Sequence, residues 1–158
     1  MSIPEDYKGP SGKILPGTGL SNEEIFAKLG DLMAQQNIPL AYLFGSYALE
    51  EEKNSSDIDI AILLECSEKE LYSRFREIML SISEILNSER FDLVLLDYIS
   101  PVLKFKIISE GKVIYAKNEM FLNNYEMNVI REYQDTEYLR NVQNNYLEGR
   151  VKNGLLRK

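Results

Sequence analysis

The sequence predicts an α+β domain: a small mixed β-sheet packed with helices, followed by a C-terminal helical extension. Three observations point there. Short apolar runs of strand length (Leu40 to Phe44, Asp57 to Leu64, Phe91 to Leu96, Val113 to Ala116) stand among longer segments with apolar residues at helical spacing, the first two runs being joined by a Gly-Ser turn and a polar stretch. Capping signals stand at the starts of two of those longer segments, Ser21-Asn22-Glu23-Glu24 and Ser67-Glu68-Lys69-Glu70. The chain has 158 residues, 44% of them hydrophobic and 27% charged, enough for one domain with a core.

Each element has its own signal. Residues 1–20 hold three of the five prolines and four of the nine glycines, so they are expected to form an irregular arm. From Ser21 a helix should run to about Gln36 and bury Ile25, Leu29, Leu32 and Met33. Pro39 precedes the first strand. A second helix, to about Asn87, should bury Leu71, Phe75, Ile78, Ile82, Ile85 and Leu86. Ser100-Pro101 opens a short helix with proline in its first turn, and Gly111 ends it. From about Glu119 a long helix, bent or straight, should reach Glu148. Residues 21–117 form the expected core and 118–158 the extension.

The chemistry is concentrated at the first two strands. Leu43-Phe44 runs into Gly45-Ser46-Tyr47, and ten residues separate Ser46 from Asp57-Ile58-Asp59. Side chains alternate along a strand, so Asp57 and Asp59 share a face. Two carboxylates so close repel unless a cation lies between them. Magnesium suits such a pair, because it takes one or two carboxylates and completes its octahedron with waters and phosphate oxygens. Gly45 and Ser46 offer unhindered backbone N–H groups and a hydroxyl, which suit a phosphate. Asp92 opens a third apolar run, Phe91 to Leu96. An acid at the mouth of a buried strand is solvated, paired (Arg90 is at hand) or bound to a cation. Asp97 closes that strand on the opposite face and reads as structural.

Gly-Ser, a spacer, Asp-x-Asp and a third acid on a later strand resemble the nucleotidyltransferases of the DNA polymerase beta superfamily. Ser56 to Ala61, Phe91 to Leu96, Ser100 to Leu103, Ile107 to Tyr115, and the C-terminal Tyr125-Glu126, Arg131-Glu132-Tyr133 and Asp135 resemble its small single-domain group, the minimal nucleotidyltransferase (MNT) antitoxins. The likeness covers about residues 21–150 and implies a nucleotidyltransferase fold. It implies catalytic and metal-binding roles for Asp57, Asp59 and Asp92, two Mg2+ ions, and a triphosphate held at Gly45 and Ser46. It further implies transfer of AMP from ATP to a tyrosine of a HEPN-domain toxin, with this chain as the antitoxin. One departure stands out. Members often carry Ala-Arg-Gly after the Gly-Ser turn, but this chain reads Ala48-Leu49-Glu50-Glu51-Glu52-Lys53. Lys53, Arg90, Lys104 and Lys106 are the candidates to replace the missing arginine. Two other functions fit the motifs: transfer to a small molecule such as an aminoglycoside, and a partner-masking module without turnover.

Composition narrows the field. There is no histidine, which removes His-based acid–base chemistry and His-ligated zinc. The net charge of −7 argues against direct binding to nucleic acid. No apolar run has the length of a membrane span, the N-terminus lacks the pattern of a signal peptide, and Cys66 is the lone cysteine, so a cytoplasmic place is expected. The aromatic and apolar stripe of the last helix (Phe121, Tyr125, Val129, Leu139, Val142, Tyr146) exceeds what a small sheet can bury, and part of it is expected to meet another subunit.

Overall fold

The structure is a computed structural model and describes residues 21–45, 58–87 and 90–155. The expected arm (1–20) and Ser46, Leu49, Lys53 and Asp57 lie outside the described residues. The elements run α1 (Asn22–Gln35), β1 (Leu40–Phe44), β2 (Ile58–Leu63), α2 (Glu68–Leu86), β3 (Phe91–Leu95), a single 3-10 turn (Leu96–Tyr98), α3 (Pro101–Glu110), β4 (Lys112–Ala116), α4 (Glu119–Asp135) and α5 (Glu137–Leu155).

Helix starts follow the local chemistry. At α1, Ser21 Oγ accepts from Glu24 N at 3.3 Å while Ser21 N donates to Glu24 Oε2 at 2.8 Å. Both Glu24 and Glu70 are held below the usual carboxylate range, chiefly by hydrogen bonds from the serine of their own cap. At α3, Ser100 Oγ accepts from Leu103 N at 3.2 Å, with Pro101 in the first turn, where its missing N–H costs nothing. At α4, Asn118 Oδ1 accepts from Phe121 N at 2.7 Å.

The sheet has the order β3-β2-β1-β4. β1 pairs antiparallel with both β2 and β4, while β2 and β3 run parallel, so the sheet is mixed as expected. The parallel pair requires a crossover, which α2 supplies. Alternation sorts the strand residues between two layers. Ala41, Leu43, Ile58, Ile60, Ile62 and Phe91 face α1 and α2, where they pack on Ile25, Leu29, Met33, Ile78 and Ile82. Leu40, Tyr42, Ala61, Leu63 and Val113 face the other way, onto Ile107 of α3 and Leu122 of α4. Expected core residues of α1 are all buried, whereas Leu71, Phe75 and Ile85 of α2 are only partly so. Leu71 and Phe75 fall on the same face as Ile78, Ile82 and Leu86 but in the N-terminal half of the helix, outside the core cluster, and Ile85 lies at the edge of that face.

The expected C-terminal helix takes the broken form and runs past its expected end at Glu148. Thr136 interrupts it, with its N–H bonded to Glu132 O, and the helix then passes through Gly149 to Leu155. α4 packs on the body through Leu122 and Val129, but α5 projects from it.

Candidate active site

One end of the sheet brings the sequence motifs together. β1 ends there and β2 and β3 begin there. The ladder pairs Phe44 with Asp59 across β1 and β2, and Asp59 with Asp92 across the parallel β2 and β3. Neighbouring strands lie about 4.8 Å apart, so the two aspartates stand side by side on adjacent strands. By alternation both project on the α3/α4 side of the sheet, with Ala61, Leu63 and Val94 beyond them. Asp59 is half-buried and Asp92 exposed, which places the pair at the rim.

Gly45 completes this corner. Its φ is +76°, a left-handed conformation that glycine adopts without penalty. A β-carbon there would lie 2.0 Å from Asp59 Oδ2 and 3.0 Å from Asp59 Cγ. The Asp59 carboxylate therefore rests directly against the backbone of the turn, in space that any side chain at position 45 would fill. Asp57 and Ser46, the other two residues expected at this corner, lie outside the described residues.

The donor set fits a hard divalent cation. Asp59 and Asp92 present carboxylate oxygens from adjacent strands, and oxygen ligands of that number are what magnesium takes from protein. Among the described residues no three acid, cysteine or histidine side chains converge on one point, so a third carboxylate would have to come from outside them.

Two further residues on this face were not singled out as site residues by the motif. Phe44, half-buried, is the cross-strand neighbour of Asp59. Glu126 of α4 accepts a hydrogen bond at 2.8 Å from the hydroxyl of Tyr42, which pairs with Ala61, two residues further along β2 than Asp59. The signal for Glu126 is a carboxylate between Leu122 and Val129 on the buried face of a helix, where it needs a partner. Of the basic candidates, Arg90 immediately precedes β3 and its carbonyl accepts from Ile58 N at 3.3 Å, which fixes its backbone at the aspartate end of the sheet. Lys104 is committed elsewhere. Its Nζ lies 3.1 Å from Glu132 Oε2, in the α3–α4 contact. Lys106 is on α3. Asp97 lies in the 3-10 turn, which breaks the strand alternation, and its charge acts on Tyr125 of α4.

Residues 27–120 match the family model described as "Polymerase beta, Nucleotidyltransferase". The Methanocaldococcus jannaschii protein named "Putative protein adenylyltransferase MJ0435" is 33% identical over 88 residues, which are 56% of this chain and 91% of that one. Among solved structures, a chain of a toxin–antitoxin crystal structure with AMP-PNP superposes with a TM-score of 0.66 at 26% identity, covering 78% of this chain and 98% of that one. A chain of the complex of tri-AMPylated Shewanella oneidensis HEPN toxin with MNT antitoxin gives a TM-score of 0.61 at 25% identity, over 78% of this chain and 96% of that one. No helix among the described residues is long and apolar enough to cross a membrane. With the family model spanning more than half of the chain, and with its motif aspartates paired across β2 and β3 against the Gly45 turn, this protein belongs to the polymerase beta nucleotidyltransferase family and is a nucleotidyltransferase with a nucleotide substrate.

Proposed function

We propose that the protein is the antitoxin of a toxin–antitoxin pair and transfers AMP from ATP to a tyrosine of a HEPN-type toxin. The observation that carries the proposal is the in-register pair Asp59 and Asp92, backed by the side-chain-free Gly45. Similarity to a protein adenylyltransferase and to a chain of a complex with an AMPylated HEPN toxin supports the choice of group and acceptor.

Asp57, Asp59 and Asp92 would hold two Mg2+ ions, which when bound neutralise the triphosphate and lower the pKa of the attacking oxygen. The turn at Gly45 and Ser46 would present backbone N–H groups and the Ser46 hydroxyl to the phosphates. The phenol oxygen of the acceptor forms a bond to the α-phosphorus as the bond to the bridging oxygen breaks, and pyrophosphate leaves. The phenol proton passes to a carboxylate oxygen of Asp92, the more exposed of the two described acids and so the one open to an incoming macromolecule. As in other phosphoryl transfers, most of the acceleration would come from position and charge rather than covalent chemistry. A reaction that consumes ATP fits the cytoplasmic place expected from the sequence.

Mass spectrometry of the co-expressed pair tests this. The toxin should carry added AMP on tyrosine when the antitoxin is intact and none when Asp92→Asn replaces it. A stable pair without any adduct would instead identify a masking module, and modification of an aminoglycoside without a protein partner would identify a small-molecule enzyme.

A further inference from the structure

Gly111 is a glycine for want of room, not for conformation. It caps α3 with φ −76° and ψ 166°, an extended backbone open to any residue. A β-carbon there would overlap the carbonyl oxygen of Ile107, which already accepts from Gly111 N at 2.8 Å, and would stand 3.0 Å from the carbonyl oxygen of Leu43 on β1. Ile107 is fully buried in the layer between the sheet and the helices α3 and α4, so the end of α3 cannot back away without opening the core. The Leu43 side is the one that leads to the site. The β1–β4 ladder ends where Leu43 pairs with Lys112, while the β1–β2 ladder runs on from Leu43 and Ile60 to Phe44 and Asp59. Gly111 thus stands where the support of β1 by β4 stops, two residues short of Gly45.

We infer that Gly111 is a positioning residue for the nucleotide: the turn between α3 and β4 is a buttress against the Leu43 backbone, and it fixes where the Gly45 turn and the Asp59 carboxylate stand. At this end β1 is held on one flank by β2, which carries Asp59, and on the other by the Gly111 turn. The contact between Gly45 and Asp59 has no slack, since the carboxylate lies where a β-carbon of residue 45 would be. A methyl at position 111 has to move either the buried end of α3 or the end of β1, and close-packed interiors pass such strain on rather than absorb it. A displacement of Leu43 reaches Gly45 after one intervening residue, Phe44, the cross-strand neighbour of Asp59. Gly111 acts through Leu43 and needs no contact of its own with phosphate or metal. The inference rests on the reading of Gly45 and Asp59 as the nucleotide site, and not on the identity of the acceptor.

Calorimetry of ATP binding to the full-length protein in Mg2+ tests it. Gly111→Ala should raise the Kd about tenfold, since a misplacement of about 1 Å costs on the order of 100-fold and the methyl imposes part of that. Val129→Ala, which opens a cavity under α4, should lower the melting temperature with Kd unchanged, so that loss of position is told apart from loss of stability. Gly45→Ala and Gly111→Ala should couple: both act on one turn, so the double variant should lose less affinity than the product of the two single losses. In the wild type, ATP with Mg2+ should slow amide exchange at Gly111 and Lys112 as well as at Gly45, by the reciprocity of linked sites, and this measurement decides the matter even if Gly111→Ala does not fold. An unchanged Kd in Gly111→Ala, fully multiplicative losses in the double variant, or exchange at Gly111 and Lys112 that ignores ATP while Gly45 is protected would overturn the inference and leave the site reading intact. A wild-type protein that does not bind ATP, or a Gly45→Ala variant that binds it as tightly as the wild type, would overturn the site reading and the inference with it.

Discussion

Gly45 and Asp59 occupy one another's space: the carboxylate oxygen of Asp59 lies where the β-carbon of residue 45 would be, at 2.0 Å. The turn and the acid are thus a single device, and Gly45→Ala should show it. The change introduces a methyl into the carboxylate and strains a φ of +76°, which costs about 1–3 kcal/mol of stability. The greater loss is in function, because a carboxylate displaced by about 1 Å costs on the order of 100-fold in rate. The expected outcome is a folded protein, by thermal melt, whose transfer of label from ATP falls at least that far. Wild-type turnover in Gly45→Ala would show that Asp59 tolerates displacement.

Asp59→Asn and Asp92→Asn should each remove several kcal/mol of transition-state stabilisation, a fall of about 1,000-fold or more. Folding should survive, since Asp59 and Asp92 lie at the rim and their neighbours in the ladder keep their backbone bonds. Chelation of divalent cations should abolish turnover in the wild type and restoration of Mg2+ should return it. Full activity in either variant would dismiss the carboxylate pair as the site.

Arg90 and Lys104 separate position from charge. Both are basic, but Arg90 is anchored at the aspartate end of the sheet and Lys104 is bonded to Glu132. Arg90→Ala is expected to raise the KM for ATP about tenfold, the loss of one charge-assisted contact of about 1.4 kcal/mol. Lys104→Ala should leave KM unchanged and lower stability by about 1 kcal/mol. Leu49→Arg, which restores the family's basic residue, should tighten ATP binding by about 1 kcal/mol or more in calorimetry. An identical KM for Arg90→Ala and the wild type would remove Arg90 from the nucleotide site.

Tyr125 offers a test by pH. Its hydroxyl is enclosed and finds no hydrogen-bond partner among the described residues. Burial, and then the nearby charges of Asp97 and Glu132, push the phenol well above its usual value. The unfolded chain releases this proton near pH 10 while the folded chain keeps it, so the contribution to stability is complete below pH 10 and declines as pH rises further. Tyr125→Phe should flatten that alkaline decline. It should also raise stability at neutral pH by about 1 kcal/mol, because an enclosed donor without a partner is removed. Loss of stability at pH 7 would show that the hydroxyl has a partner after all.

Much of the fold was legible because its signals are local. β1 needs only an apolar run behind Pro39, and α1 and α3 announce themselves by Ser21 with Glu24 and Ser100 with Pro101. Asp59 and Asp92 could be named from the motif, but their adjacency depends on register between strands separated by a helix, which no local pattern encodes. The position of the break at Thr136 was not legible, for the opposite reason. Glu132 to Arg140 reads as one helix by propensity, and only the tertiary clamp of Phe105, Tyr133 and Arg140 distinguishes the two sides of the joint. The apolar stripe was visible throughout, but its division into a half that packs (Phe121, Tyr125, Val129) and a half that does not (Leu139, Val142, Tyr146) follows from where the body ends.

The mixed sheet also sets an order of assembly. β1 and β2 form an antiparallel ladder, so the Gly45 turn and Asp59 can meet within a stretch of neighbouring chain. Asp92 cannot join them until all of α2 has been made and has folded back to lay β3 beside β2, a non-local closure that is slow by comparison. On the proposed site, each newly synthesised molecule would therefore pass through a stage that holds the Gly45 turn, Asp57 and Asp59 but lacks Asp92, and it would switch on only when the crossover shuts. Anything that delays α2 delays activity without altering a single residue of the site.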